Sequence, residues 1–294
     1  MQQLNTPILF LVFNRLDTTA LVFAEIKKIK PKKLFVASDG PRSSVVDEKK
    51  YVEEIRVYIL ENIDWPCEVK TLFRDKNMGC KMAVSSAIDW FFEHVEEGII
   101  LEDDCLPDLT FFSFCEELLK KYRDDERIMH IGGSNFQNGI KRGGASYYFS
   151  LFSHIWGWAT WRRAWNMYDV SMSTFPKFDK TKKINQIFKK TGERIYWNKT
   201  FKDTHKGLID TWDYSWLYAC LYHGGLSCIP NVNLVKNIGF GKQSTHTSLV
   251  REELIVDIDS LSFPLTHPSI ISAHNDADDF TNKKVYKTFL LRFL

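Results

Sequence analysis

Four times within the first 125 residues an apolar run of strand formers gives way to an amphipathic stretch, and this alternation limits the possible folds more than any other feature. Pro7–Phe13 is continuously apolar, the pattern of a strand covered on both faces in a parallel sheet. Asp17-Thr-Thr19 can cap a helix running to about Lys30, and Pro31 stops it before a second strand, Lys33–Ser38. A turn at Asp39–Arg42, a helix over Val46–Asn62 and a strand over Cys67–Phe73 repeat the unit. Asn77-Met-Gly79 breaks the chain ahead of a helix from about Lys81 to His94. Gly98–Leu101 then forms a short strand ending in Glu102-Asp-Asp104, followed by a helix from about Asp108 to Tyr122. The alternation predicts an α/β fold, a mainly parallel sheet with flanking helices.

Beyond that point the pattern changes. Ile131–Ser146 is rich in Gly, Ser and Asn and reads as loops, Tyr147–Trp165 is dense in aromatics, and Lys177–Lys206 is polar and lysine-rich. Helices are expected around Lys183–Lys190 and Tyr214–Leu221. No internal repeat interrupts the chain, so a donor-side half over 1–125 and a second half over 126–294, including a C-terminal tail, read as one continuous domain.

Composition narrows the partners. With 39 Lys and Arg against 37 Asp and Glu, a net charge of +2 gives no reason to expect nucleic acid. The six cysteines show no CxxC spacing, so buried thiols in a reducing, cytoplasmic setting are the simpler expectation. The first seven residues lack signal-peptide character, and the longest apolar runs fall far short of the roughly 20 residues that cross a bilayer. The tail Val285–Leu294 mixes basic and bulky apolar residues as an interfacial helix would. A peripheral contact with the inner membrane face, a terminal helix docked on the body and a dimer contact all fit that pattern.

Chemistry concentrates where strands end. In open α/β sheets ligands bind outside the carboxyl ends of the strands, which is where Glu102, Asp103 and Asp104 fall. Carboxylates there can hold a hard cation that bridges protein to phosphate; a solvated acidic turn is the bland alternative. Asp39 ends the second strand and can accept the imino hydrogen of a uracil, or bond its own turn. Arg15, after the first strand, suits a phosphate or a base, or the surface. Asp213 precedes an expected helix and can serve as N-cap or as general base. Gly157-Trp-Ala-Thr-Trp161 with Trp156 and Trp165 can stack on a sugar or simply fill a core.

Phe13-Asn14-Arg15, Ser38-Asp39-Gly40, Arg74–Gly79, Leu101–Asp104 and Trp212-Asp213, in that order, resemble the GT-A glycosyltransferases. The N-acetylglucosaminyltransferase I type and its bacterial nucleotide-diphospho-sugar transferase relatives look most similar. The resemblance covers about residues 7 to 250 and implies a Rossmann-like fold, a UDP-sugar donor and a glycan or lipid-linked acceptor. It further implies Arg15 and Asp39 at the nucleotide, Asp103 near the ribose, Glu102 near the donor sugar and Trp212 among the donor contacts. Mn2+ (or Mg2+) would sit on Asp104, with His246 a second metal ligand, a phosphate contact or a plain loop histidine. Asp213 would be the base of an inverting transfer. A nucleotidyltransferase is the rival enzyme, although Phe13–Asp17 lacks the glycine-rich signature it would ordinarily carry, and a non-catalytic sugar-binding module is the rival without chemistry.

Overall fold

The computed structural model describes residues 3–239, 254 and 256–287. The expected alternation is there. Strand β1 (Ile8–Val12) is buried at every position, and helix α1 (Leu16–Ile29) lays Val22, Phe23, Ile26 and Ile29 onto the sheet. Lys30 closes that helix in the left-handed region, its N–H donating to the Ile26 carbonyl at 3.2 Å. Strand β2 (Lys33–Ser38), helix α2 (Glu48–Glu61), strand β3 (Glu68–Phe73), helix α3 (Gly79–His94) and strand β4 (Glu97–Glu102) follow in turn. A three-residue strand β5 (Cys105–Pro107) precedes helix α4 (Leu109–Lys121), which Asp108 caps by accepting the Thr110 N–H at 2.8 Å.

The second half completes the same sheet. It supplies β6 (Ile128–Gly132), β7 (Tyr147–Ser150) and β8 (Trp158–Trp161), then the short helices α5 (Arg162–Trp165), α6 (Phe175–Lys180) and α7 (Ile184–Ile187). Helices α8 (Thr191–His205) and α9 (Asp213–His223), strands β9 (Leu226–Pro230) and β10 (Val235–Asn237) and helix α10 (Asn275–Lys284) complete the order. Among the described residues, eight strands form one sheet in the order β3-β2-β1-β4-β8-β6-β9-β7, while β10 pairs with β5 in a separate antiparallel ribbon. The pairs β1–β2, β2–β3, β1–β4 and β6–β9 are parallel; β8 runs antiparallel to both β4 and β6, as β7 does to β9. A mixed α/β architecture with a large, mainly parallel sheet and flanking helices is therefore present.

Three details differ from the sequence reading. The start of the Gly/Ser/Asn-rich stretch belongs to β6, whose five residues are all buried. The aromatic segment is two buried strands, and Trp158, Trp161 and Trp165 keep 0%, 2% and 3% of their surface, so these rings are core and no stacking platform. In the lysine-rich segment the helix expected over Lys183–Lys190 shrinks to α7, and the long helix is α8. That helix is held by a few large rings, Trp197 and Phe201 packing with Phe152, Phe178 and Tyr218, instead of a regular apolar stripe. The six cysteines are free thiols, four of them buried. Among the described residues no helix is long and apolar enough to cross a membrane; of the tail, Thr288–Leu294 lies outside the described residues.

Candidate functional site

The sheet order changes direction at β1. From there the chain moves outward to β2 and β3, then returns to place β4 on the other side. Loops leaving the carboxyl ends of β1 and β4 consequently diverge and leave a crevice between them, the place where such sheets bind ligands. Leu11 lies level with Glu102 and Val12 with Ser38, so the loops carrying Arg15, Asp39 and Glu102–Asp104 emerge from one edge of the sheet. They line a cavity of ≈ 510 Å³ together with Trp212 and Asp213 from the far side. A larger hollow of ≈ 640 Å³ lies against the β7 edge, but it holds none of the strand-end carboxylates.

Three carboxylates in succession meet three environments. Asp103 is buried; its Oδ2 accepts the Phe13 N–H at 3.1 Å and its Oδ1 accepts from Arg15 Nη2 at 2.8 Å. The same Nη2 reaches Asp104 Oδ2 at 2.8 Å, and Arg15 Nη1 donates to the Gly239 carbonyl at 3.4 Å. Burial opposes the Arg15 charge, yet Asp103 and Asp104 outweigh it and lift the guanidinium above the ordinary arginine value. Glu102 is half-buried, and loss of solvent with the charges of Asp104, Asp103 and Asp213 pushes its carboxyl up to about 8. For Asp103, burial outweighs Arg15 and raises the carboxyl to about 6. Two of the three carboxylates are thus paired with Arg15.

The ribbon of β5 and β10 fixes the third acid. Asn237 lies opposite Cys105, and the Ile238 N–H donates to the Asp104 carbonyl at 2.8 Å. Gly239 therefore passes directly over the Asp104 side chain. A Cβ at this position would stand 2.2 Å from Asp104 Oδ2 and 2.7 Å from Arg15 Nη1, which explains why glycine occupies it.

Asp39 forms another wall. Its carboxylate accepts from the Gly40 N–H at 2.9 Å and from the Met78 N–H at 3.0 Å, tying the end of β2 to the start of α3. Burial raises its pKa, opposed by those two N–H groups and by Arg74. The turn role weighed for this residue is real, and Asp39 faces the cavity as well. Gly79 adopts φ +76°, a left-handed conformation that glycine reaches without strain and that turns the chain into α3. Arg42 and Arg74 also line the cavity, with Asn14 and Asn77; Asn14, Arg74 and Asn77 fall in the motifs that carry the resemblance, but none of the four was assigned a role from the sequence. The buried Glu48 at the start of α2 holds Arg42 through the backbone N–H at 2.6 Å and through the guanidinium, and accepts from Asn14 at 2.9 Å. Arg74 donates to Ser86 at 2.8 Å.

Opposite them stands the start of α9. Asp213 is its first residue, one position inside the Trp212 cap. Its Oδ1 accepts from the Tyr214 N–H at 2.9 Å and from the Thr211 hydroxyl. The preceding Trp212 is buried with 2% of its surface exposed, its ring stacked on Trp158 at 5.8 Å. Trp216, one turn on, lies 5.2 Å from Trp165 and donates from Nε1 to His130 Nδ1 at 3.2 Å. Since Trp158 lies level with Ile100 near the end of β4, this cluster anchors Asp213 beside the acidic strand end. Trp156 and Ile155, just before β8, and the exposed Asp210 complete that side.

The structure thus brings Arg15, Asp39, Glu102, Asp103, Asp104, Trp212 and Asp213 to one cavity. Trp212 contributes mainly as an anchor, and His246 lies outside the described residues. Among the described residues no group of three or more His, Cys, Asp and Glu side chains forms a ready-made metal cage.

No family model matches the chain, and no curated protein does. Among solved structures, HddC from Yersinia pseudotuberculosis overlaps 54% of this chain and 77% of its own, at 8% identity and a TM-score of 0.33. A likeness that shallow carries no argument about function.

Proposed function

We propose that this protein is a glycosyltransferase of the GT-A kind, which moves a sugar from a UDP-sugar to a glycan or lipid-linked acceptor with inversion. The observation that carries the reading is the meeting of two kinds of wall across one cavity at the point where the strand order reverses. One wall combines Arg15, Arg42 and Arg74 with the acidic end of β4; the other presents Asp213. Arginines pair with diphosphate oxygens, and Asp39 at the end of β2 suits a uracil imino hydrogen.

Asp104 suits Mn2+ or Mg2+. Such ions take carboxylate oxygens, commonly one or two, and leave the remaining positions to substrate phosphates and water. A bound ion would supply neutralisation of the diphosphate charge. The residues themselves do the rest: Asp103 orients Arg15 and the loop at Phe13, Gly239 closes over Asp104, and Thr211 and the Tyr214 N–H fix the rotamer of Asp213. In the transfer, Asp213 takes the proton of the acceptor hydroxyl, whose oxygen bonds to the anomeric carbon. The bond from that carbon to the diphosphate oxygen breaks, and its electron pair leaves with UDP.

Asp213→Asn tests this role. Turnover should fall roughly 10² to 10⁴-fold with donor affinity and Tm near wild type, because a base acts only in the chemical step. Asn retains the oxygen that accepts from Thr211 and Tyr214, so near-normal turnover would mean that Asp213 only organises the start of α9.

A further inference from the structure

Arg15 stands where a cation would be expected at Asp104. Its Nη2 is shared between Asp103 Oδ1 and Asp104 Oδ2, each at 2.8 Å, and its Nη1 points to the Gly239 carbonyl. The two carboxylates are held unequally. Asp103 is buried and has a second firm partner in the Phe13 N–H, whereas among the described residues the other oxygen of Asp104 receives only the Cys105 thiol at 3.5 Å. Asp104 is therefore the acid that can change partner without leaving a buried backbone N–H unpaired.

We infer that Arg15 is an internal counter-ion that occupies Asp104 in the ligand-free protein, and that it competes with a divalent cation for that carboxylate oxygen. The inference rests on the proposed reading of Asp104 as a metal ligand. A cation bound to Oδ2 at roughly 2.1 Å would lie within a few ångströms of a guanidinium nitrogen already bonded to the same atom, and two positive centres so close repel strongly. Arg15 then keeps Asp103 and releases Asp104. The freed face of the guanidinium, a planar donor suited to phosphate, is available to the diphosphate that arrives with the cation. Metal and nucleotide binding become mutually supportive through one side chain.

The test is a titration of nucleotide-free, full-length protein with Mn2+ alone, the free ion counted by its electron paramagnetic resonance signal. Arg15→Gln should bind Mn2+ about tenfold more tightly than wild type, since the competitor is gone. Arg15→Lys should show much of the same gain, because an ammonium keeps the charge but cannot span Asp103, Asp104 and the Gly239 carbonyl together. Adding Asp104→Asn to Arg15→Gln should abolish the gain. Equal affinity in wild type and Arg15→Gln overturns the inference, and so does a lysine variant that behaves as wild type while glutamine gains, which would mark a simple field effect. Mn2+ binding that Asp104→Asn removes but Arg15 variants leave unchanged would sink the competition alone. Absence of Mn2+ binding in every variant would remove the metal reading of Asp104 and the competition with it.

Discussion

His130 on β6 carries a prediction that can be worked through to a number. It is fully buried, and its Nδ1 accepts from Trp216 Nε1 while Nε2 faces the His154 carbonyl at 3.0 Å. This arrangement requires a neutral ring with the proton on Nε2. Burial lowers the pKa from 6.5 to about 3. Between those values the unfolded chain binds a proton that the folded chain refuses, so the stability present above pH 6.5 is lost as the pH falls. From pH 7 to pH 5 the loss attributable to this residue is about 2 kcal/mol. Glu102, raised to about 8, and Asp278, raised to about 7 by burial, act in the opposite direction, so the wild-type curve by itself does not isolate His130. The difference from His130→Asn does. At pH 7 the variant should be about 1–3 kcal/mol less stable, since Trp216 Nε1 or the His154 carbonyl loses a partner. At pH 5 that gap should shrink by about 2 kcal/mol. Urea unfolding of both proteins at the two pH values measures it. An unchanged gap would refute a neutral His130 and the anchoring of α9 built on it.

Asp39→Ala should weaken donor binding and blur the preference for uracil over guanine, whereas Asp39→Asn should hold the Met78 N–H and keep Tm closer to wild type. Equal competition by UDP and GDP in wild type and both variants would speak against a base contact. Gly239→Ala should leave the fold intact and lower donor affinity about tenfold or more, because its methyl would stand 2.2 Å from Asp104 Oδ2, the oxygen proposed to hold the cation. Unchanged donor titration by calorimetry would show that the space beside Asp104 Oδ2 is not used in binding.

The strands that build the crevice were legible because β1, β2 and β4 are covered on both faces and so read as apolar runs. Once those strands are placed, Arg15, Asp39 and the acidic triplet follow at their ends. The partners of these residues were not legible. Insertion of β8 between β4 and β6 is a long-range pairing, and its tryptophans read equally well as a sugar platform. The ribbon of β5 and β10 has three residues per strand, too short for any periodic signal, yet it brings Gly239 onto Asp104. Arg74 and Asn77 reach the cavity because Gly40 packs against the Lys76 backbone, and Arg42 because Glu48 is buried at the start of a helix that otherwise looks solvated. Each of these depends on a contact across the fold, which spacing along the chain does not encode.

The central claim, a metal-dependent nucleotide-sugar site at the end of β4, meets its most direct test in thermal unfolding with UDP-sugars, with and without Mn2+, for wild type and Asp104→Asn. A ligand at about 100 times its Kd stabilises the native state by about 2.7 kcal/mol. For a chain of this length that raises Tm by roughly 5 °C. Such a rise is expected for wild type only when a UDP-sugar and Mn2+ are present together, and it should be lost in Asp104→Asn. No rise with any UDP-sugar, or an equal rise in wild type and Asp104→Asn, would contradict it.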